Sequence, residues 1–193
     1  MAKKEYKITP KIWGPMAWNL LHNIADNFSD NMTHKLKEIH INFIYNFEYF
    51  LPCDICIRHY REYIKHNKIN IRKLDKKYLQ EYICNLHNNV NEIKGKKQYS
   101  FRECIKAQKR MNHKNFYTYI NILLIYYKKK EISITKLNAI KQEFCYLAHI
   151  YPNEQRQIKI LEEVKKDSFD EVSDIDELVK WYLHLLKILK FKN

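Results

Sequence analysis

The run Ile39–Cys56, "IHINFIYNFEYFLPCDIC", decides the fold. It ends on Cys53 and Cys56, a C-x-x-C spacing shared by redox disulfides, half-built zinc sites and unrelated thiols on one helix. What precedes the cysteines discriminates between folds. A thioredoxin-like redox module needs a strand before the motif and a parallel sheet around it, whereas Leu36, Ile39, Phe43 and Phe47 recur at helical intervals. Pro52 then breaks the pattern, because it drives Leu51 to an extended conformation and itself suits the first position of a new helix. The reading is a helix opened by Pro52 with Cys53 in its first turn. There the helix dipole and the unpaired amides favour a thiolate, and Cys56 lies one turn on along the same face.

The composition agrees with an all-α chain. Of 193 residues only two are glycine and four proline, too few for a series of hairpins, while 46% are apolar and 14% aromatic, enough for a folded core. The formal charge is +13. Since Lys, Asn, Ile and Tyr are all abundant, as in AT-rich coding sequence, the charge by itself does not argue for nucleic acid, and no nucleic-acid partner is expected. Around "MAKKEYKITPKIWG" there is no apolar stretch of the kind a secretory signal has, so the chain is expected to stay on the cytosolic side. No apolar run approaches the ~18 to 20 residues of a membrane span. The best candidate, "LVKWYLHLLKILKF", is interrupted by charge at helical intervals and reads as an amphipathic core helix.

The pattern predicts about nine helices. They run from about Trp13 to Phe28, Thr33 to Tyr49, Pro52 onward, Asp75 to Glu92, a short one from Ser100, then Lys114 to Lys128, Thr135 to Ile150, Asn153 to Lys166 and Ser173 to Lys192. Ser100 with Glu103 forms a capping box, and Asp174 followed by Glu177 marks the last start. A domain boundary is expected near residue 112, dividing 1–111 from a helical segment 112–193.

Five cysteines stand at 53, 56, 84, 104 and 145. Without a secretion signal, metal binding or redox catalysis precedes stable disulfides as an explanation, and on spacing alone redox and zinc are level, with Cys84, Cys104 or His59 available as further ligands. Two other stretches separate them. In "WGPMAWNLLH" (13–22), Trp18 and His22 share a helix face. In "CNLHNNVNEIKGK" (84–96), His87 and Asn91 do the same beside Asn88, on a helix that also carries Ile83, Leu86 and Val90. Amides on an apolar helix need partners, and a flat heterocyclic cofactor held between helices supplies them.

The order W-G-x-x-x-W-x-x-L-H, C-x-x-C-x-x-H-Y and C-x-x-H-N-x-V-N-x-x-x-G-K, followed by a later cysteine, resembles the Erv/ALR family of FAD-linked sulfhydryl oxidases over about residues 10 to 111. The resemblance implies an Erv-type FAD-binding helical bundle, four helices plus a short fifth, typically as a homodimer. It implies that Cys53 and Cys56 are the catalytic pair, Cys56 next to the flavin and Cys53 exchanging with protein dithiols. It further implies that Trp13, Gly14, Trp18, His22, His59, Cys84, His87, Asn88, Val90, Asn91, Lys96 and Arg110 surround FAD. Cys84 and Cys104 would form a structural disulfide, and no metal is implied. Electrons would pass from substrate thiols, on a partner such as a thioredoxin-like or small C-x-x-C carrier, to molecular oxygen with release of hydrogen peroxide.

Three positions depart from the family pattern: Pro15, Lys94 and Met111 replace a usual arginine, leucine and tryptophan. Pro15, the AT-rich composition and the lack of a signal-like stretch together resemble the branch of large DNA viruses, which implies virion disulfides and the infected cell's cytoplasm or the virion, the alternative being a cellular enzyme imported into an oxidising compartment. The family's second, shuttling cysteine pair is missing, and Cys145 reads as a half-buried inert thiol. The rival is a basic helical binding module stapled by zinc on Cys53, Cys56, Cys84 and Cys104.

Overall fold

The computed structural model describes residues 8–107 and 110–189. The stretch "MAKKEYK" and the end of the last predicted helix lie outside them. The described residues form helices and no strand: α1 (Pro10–Asp26), α2 (His34–Asn46), α3 (Asp54–His66), α4 (Lys76–Ile93), α5 (Phe101–Ala107), α6 (His113–Lys128), α7 (Ile134–Ile150), α8 (Glu154–Val164), α9 (Asp167–Asp170) and α10 (Ile175–Ile188). Short 3-10 turns occupy Phe47–Phe50 and Ile71–Lys73.

Side-chain caps start most of these helices. Thr33, Asp75, Asn112, Ser133, Asn153 and Asp174 each accept a hydrogen bond from the amide three residues on, which satisfies one of the donors that a helix start leaves unpaired. The Ser100–Glu103 capping box is reciprocal, Ser100 N donating to Glu103 at 2.8 Å and Glu103 N to the Ser100 hydroxyl at 3.3 Å. Some predicted boundaries move, and α1 opens at Pro10, ahead of the predicted Trp13. The helix read through Tyr49 tightens into the 3-10 turn at Phe47, and a single turn, α9, intervenes before α10.

In the first half, α1 lies on α4, and α2 leads through the 3-10 turn into α3. The second half packs directly on the first, α6 against α1, and α7 against α2 and the 3-10 turn. Phe43, Phe47 and Phe50 are fully buried and pack edge to face or tilted, with centroids 5.6 to 6.1 Å apart. Phe144 of α7 joins them at 5.2 Å from Phe50. The buried Tyr119 of α6 donates its hydroxyl proton to the Phe50 carbonyl and stacks at 6.3 Å on Trp13 of α1. One apolar core therefore runs from α1 to α10.

A disulfide between Cys84 on α4 and Cys104 on α5, with Cα atoms 6.1 Å apart, holds the short helix to the bundle. Inside the loop that it closes, the Asn88 amide clasps Tyr99 in both directions, donating to its carbonyl at 2.7 Å and accepting from its amide at 2.8 Å. Closing a loop of 20 residues is expected to contribute about 3 kcal/mol through chain entropy. The double variant Cys84→Ala/Cys104→Ala should lose about that much in urea unfolding. An unchanged midpoint would show that the Asn88–Tyr99 clasp alone secures α5.

Glu143 of α7 is fully buried, and neither of its carboxylate oxygens has a hydrogen-bond partner among the described residues. Burial, helped by the nearby Glu48 charge, pushes its carboxyl well above the ordinary range, so the folded chain holds it neutral. The unfolded chain ionises the same group from about pH 4.3 upward. Stability conferred by the neutral group is therefore complete in acid and is lost as pH rises toward the folded value. Glu143→Gln removes this dependence. The stability difference between variant and wild type should grow from pH 5 to pH 8, by up to about 1.4 kcal/mol per pH unit; parallel curves would show that Glu143 does not titrate on unfolding.

Candidate functional site

Cys53 and Cys56 form a disulfide at the start of α3, their Cα atoms 5.2 Å apart. The helix opens two residues later than the proline suggested. Pro52 lies ahead of it, Leu51 is extended as expected before a proline, and Cys53 is itself the N-cap, with extended backbone (φ −167°, ψ 110°). Its amide turns back to the Leu51 carbonyl at 2.9 Å, which places the residue outside the first helical turn. The consequence for chemistry is direct. The Cys53 sulfur accepts from the Cys56 amide at 3.2 Å, where an N-cap oxygen ordinarily sits, so negative charge on it faces the open end of α3.

The two sulfurs have different surroundings. Cys56 lines an apolar slot with Trp13, Gly14, Ala17 and Trp18 of α1, Phe47 and Leu51 ahead of α3, His59 and Tyr60 on α3, and Val90 with Ile93 at the end of α4. Cys53 is not among the lining residues, although both cysteines are half-buried. Beside the slot, the rings of Trp18 and His87 stack in parallel at 4.0 Å, and His22 Nε2 meets His87 Nδ1 at 3.2 Å. Burial lowers both imidazoles to about pKa 4, and for His87 the neighbouring His22, Lys96 and Lys94 add to the effect. Both rings are neutral at pH 7, so this pair contributes stacking faces and neutral hydrogen-bonding edges.

The slot is built by helix periodicity. Trp13 and Ala17 are one turn apart on α1, with Gly14 and Trp18 alongside, so all four meet the end of α4 on one side. A Cβ at Gly14 would meet nothing within 4 Å, which leaves open space beside that backbone. The α4 helix stops because Gly95 takes a left-handed conformation (φ 59°), and the Lys96 amide then returns to the Asn91 carbonyl at 2.8 Å. Two buried donors here lack a partner in the described residues, Trp13 Nε1 and Asn91 Nδ2.

Most residues singled out from the sequence converge. Trp13, Gly14, Trp18, His59 and Val90 line the slot with Cys56; His22 and His87 meet each other; Asn91 is buried on the same helix as Val90. Others lie apart. The Asn88 side chain is engaged with Tyr99, Lys96 is exposed beyond α4, and Arg110 lines a separate polar cavity of about 500 Å³ with Asn23, Asp26 and His113. Cys84 and Cys104 are paired in their own disulfide. The four cysteines that a zinc site requires are thus consumed as two disulfides, which removes support for the zinc-stapled module. Cys145, on α7, is the free cysteine, and burial raises its thiol pKa, in keeping with an inert residue.

Ala17, Leu21, Phe47, Leu51 and Tyr60 also belong to the slot and were not read from the sequence. Spacing from Trp13 and Trp18 carries a signal for the first two. Nothing local marks the others, which the Pro52 break brings to the slot from the opposite side. No helix of the described residues is long and apolar enough to cross a membrane.

The sequence profile of the Erv1 / Alr family matches residues 15–112, half of the chain. A putative FAD-linked sulfhydryl oxidase of invertebrate iridescent virus 3 is 31% identical over 91 residues, covering 47% of this chain and 62% of the relative. A mitochondrial FAD-linked sulfhydryl oxidase of Schizosaccharomyces pombe is 36% identical over 83 residues, 43% of this chain and 46% of that one. An FAD-linked sulfhydryl oxidase of African swine fever virus is 36% identical over 91 residues, 47% of this chain and 75% of the relative. The match thus spans less than two thirds of the first two relatives' length. No solved structure matches the chain significantly. Both disulfides, the stacked Trp18 and the bonded histidines all fall inside the matched stretch, and the chain belongs to the Erv1 / Alr family.

Proposed function

We propose that this chain is an FAD-dependent sulfhydryl oxidase that makes disulfides in partner proteins, encoded by a large DNA virus and acting in the infected cell's cytoplasm or the virion. One observation carries the reading: a disulfide whose inner sulfur lines an apolar slot walled by tryptophans while its outer sulfur does not. The names of the family relatives, viral ones among them, support it.

The residues present fit FAD. The slot and the Trp18 and His87 rings offer apolar and stacking surface to a flat tricyclic ring, and the unpartnered Trp13 Nε1 and Asn91 Nδ2 suit a ligand rich in acceptors. Trp13, Gly14, Trp18, His22, His59, His87, Val90 and Asn91 would hold that ring system, with Lys96 as a cation toward the phosphates. The slot is narrow, about 70 Å³, so its walls would part to admit the ring.

A substrate thiolate attacks the Cys53 sulfur; one S–S bond forms, the Cys53–Cys56 bond breaks, and Cys56 leaves as a thiolate. The substrate's second thiol, deprotonated, then attacks its own sulfur in the mixed disulfide. Cys53 is released as a thiolate at the α3 cap, where the Cys56 amide stabilises it, and the substrate departs oxidised. The neutral His22–His87 pair adds no charge beside the slot, whose wall also carries Lys94. When bound, FAD supplies the two-electron acceptor that restores the disulfide, with oxygen taking the electrons as hydrogen peroxide.

The segment boundary belongs to the same proposal, residues 1–111 as the flavin-binding unit and 112–193 as a helical buttress; the extent of the family match supports it. So does the expected homodimer, which has to use a surface other than those of α1 and α2 that α6 and α7 cover.

Purified protein should be yellow with a flavin spectrum, and stoichiometric zinc in a colourless protein would overturn the reading. Cys56→Ser should remain yellow and lose thiol oxidase turnover roughly 100-fold or more, as loss of an essential nucleophile does; near-normal turnover would reassign the inner cysteine. Sedimentation at twice the chain mass is the result expected for the dimer, and a monomer mass would remove it.

A further inference from the structure

Asp54, between the two cysteines, is held from outside the family-matched region. Both of its carboxylate oxygens are taken: the Tyr126 hydroxyl donates to Oδ1 at 2.6 Å and the Lys130 ammonium to Oδ2 at 2.8 Å. Tyr126 is in the last turns of α6, and Lys130 follows in the turn to α7, its ammonium also 5.6 Å from the centre of the Tyr126 ring. The two clamping residues lie 72 and 76 positions from Asp54 in sequence, beyond the family match, which stops at residue 112. Lys136 of α7 adds further positive potential at this carboxylate, and the Arg61–Glu48 ion pair stands beside Lys136.

The clamp has a chemical consequence because of where it sits. Reduction of the pair begins with an anionic thiolate approaching Cys53 and ends with negative charge on the pair's own sulfurs. A free carboxylate on the adjoining residue would repel both. Paired with an ammonium and a hydroxyl, Asp54 presents little net charge to the incoming sulfur. The side chains of Asp54 and Lys130 are 65% and 50% exposed, and an ion pair so placed adds little to folding stability. Its effect should therefore be read in the sulfur chemistry.

We propose that Tyr126 and Lys130 are positioning residues of the redox pair: by neutralising Asp54 they set how fast, and how favourably, thiolates reduce the Cys53–Cys56 disulfide. This rests on the oxidase reading of that pair. Each exchange forms one S–S bond and breaks one, the incoming dithiol being the reductant and the Cys53–Cys56 disulfide the oxidant, with two protons released to solvent as the thiols ionise.

The test uses the full chain as purified, under nitrogen, with dithiothreitol as the dithiol. First-turnover reduction is followed by acid quench and alkylation, and the Cys53–Cys56 peptide is resolved by mass from the Cys84–Cys104 peptide. Lys130→Met should slow the reaction about three- to tenfold, Asp54→Asn should speed it by a similar factor, and the double variant should return to within about twofold of wild type. Tyr126→Phe should slow it by a smaller factor. The Lys130→Met deficit should shrink in about 1 M salt, which screens exposed charges beyond about 3 Å. Equal slowing by Asp54→Asn and Lys130→Met, or wild-type rates in all four variants, would overturn the proposal. Flavin colour and peroxide release are read separately, so a colourless protein that obeys the charge pattern sinks the oxidase reading alone.

Discussion

The site depends on the backbone break at Pro52. A proline disfavours a helical conformation in the residue before it, and here Leu51 is extended and the chain leaves the α2 direction. Cys53 becomes a cap, and a sulfur takes the place that oxygen usually holds at a helix start. Without that break, the amides that stabilise a Cys53 thiolate would be consumed within a continuous helix. The same break turns Cys56 inward, toward α1 and the end of α4, and leaves Cys53 on the outer side.

A break in the backbone is useful only if it is held still. In the 3-10 turn ahead of it Phe47 and Phe50 are buried against Phe43 and Phe144, and its last carbonyl is bonded by Tyr119 from α6. Tyr60, on α3, donates to the Ile44 carbonyl of α2 from the other side. The Cys53–Cys56 pair is therefore clamped between the two halves of the chain, and Tyr119 stacks on Trp13, a wall of the slot. Packing of this kind transmits position: a change in α6 reaches both the disulfide and the slot. The second half thus supports the site from within the core, and through Tyr126 and Lys130 it also meets the redox loop at the surface.

Two sets stand out among the sheltered polar groups, which also include the Tyr127 hydroxyl and Trp181 Nε1. Around the slot they are donors or neutral rings, Trp13 Nε1, Asn91 Nδ2, His22 and His87, which suits an acceptor-rich planar ligand. Glu143, by contrast, is a fully buried carboxyl in the contact between halves, kept neutral by its surroundings and assigned no chemistry. The first set is consistent with a place prepared for a ligand; the second is a cost to stability that grows with pH.

The sequence by itself determined the helical class, most helix starts and the residues that face one another within a helix. These are local consequences of capping chemistry and of the 3.6-residue period: Ser100 and Asp174 cap as read, and Trp18 with His22 and His87 with Asn91 share faces as read. It placed the start of α3 at Pro52, two residues early, because a proline suits both the first helical position and the stretch just before the cap, and only the turn from Cys53 to Leu51 selects between them. Tertiary structure alone decided that Asn88 clasps Tyr99, that Arg110 faces a separate cavity, and that α6 reaches Asp54. Each of these is a contact between residues far apart in the chain, set by the way whole helices pack, and no local spacing encodes it.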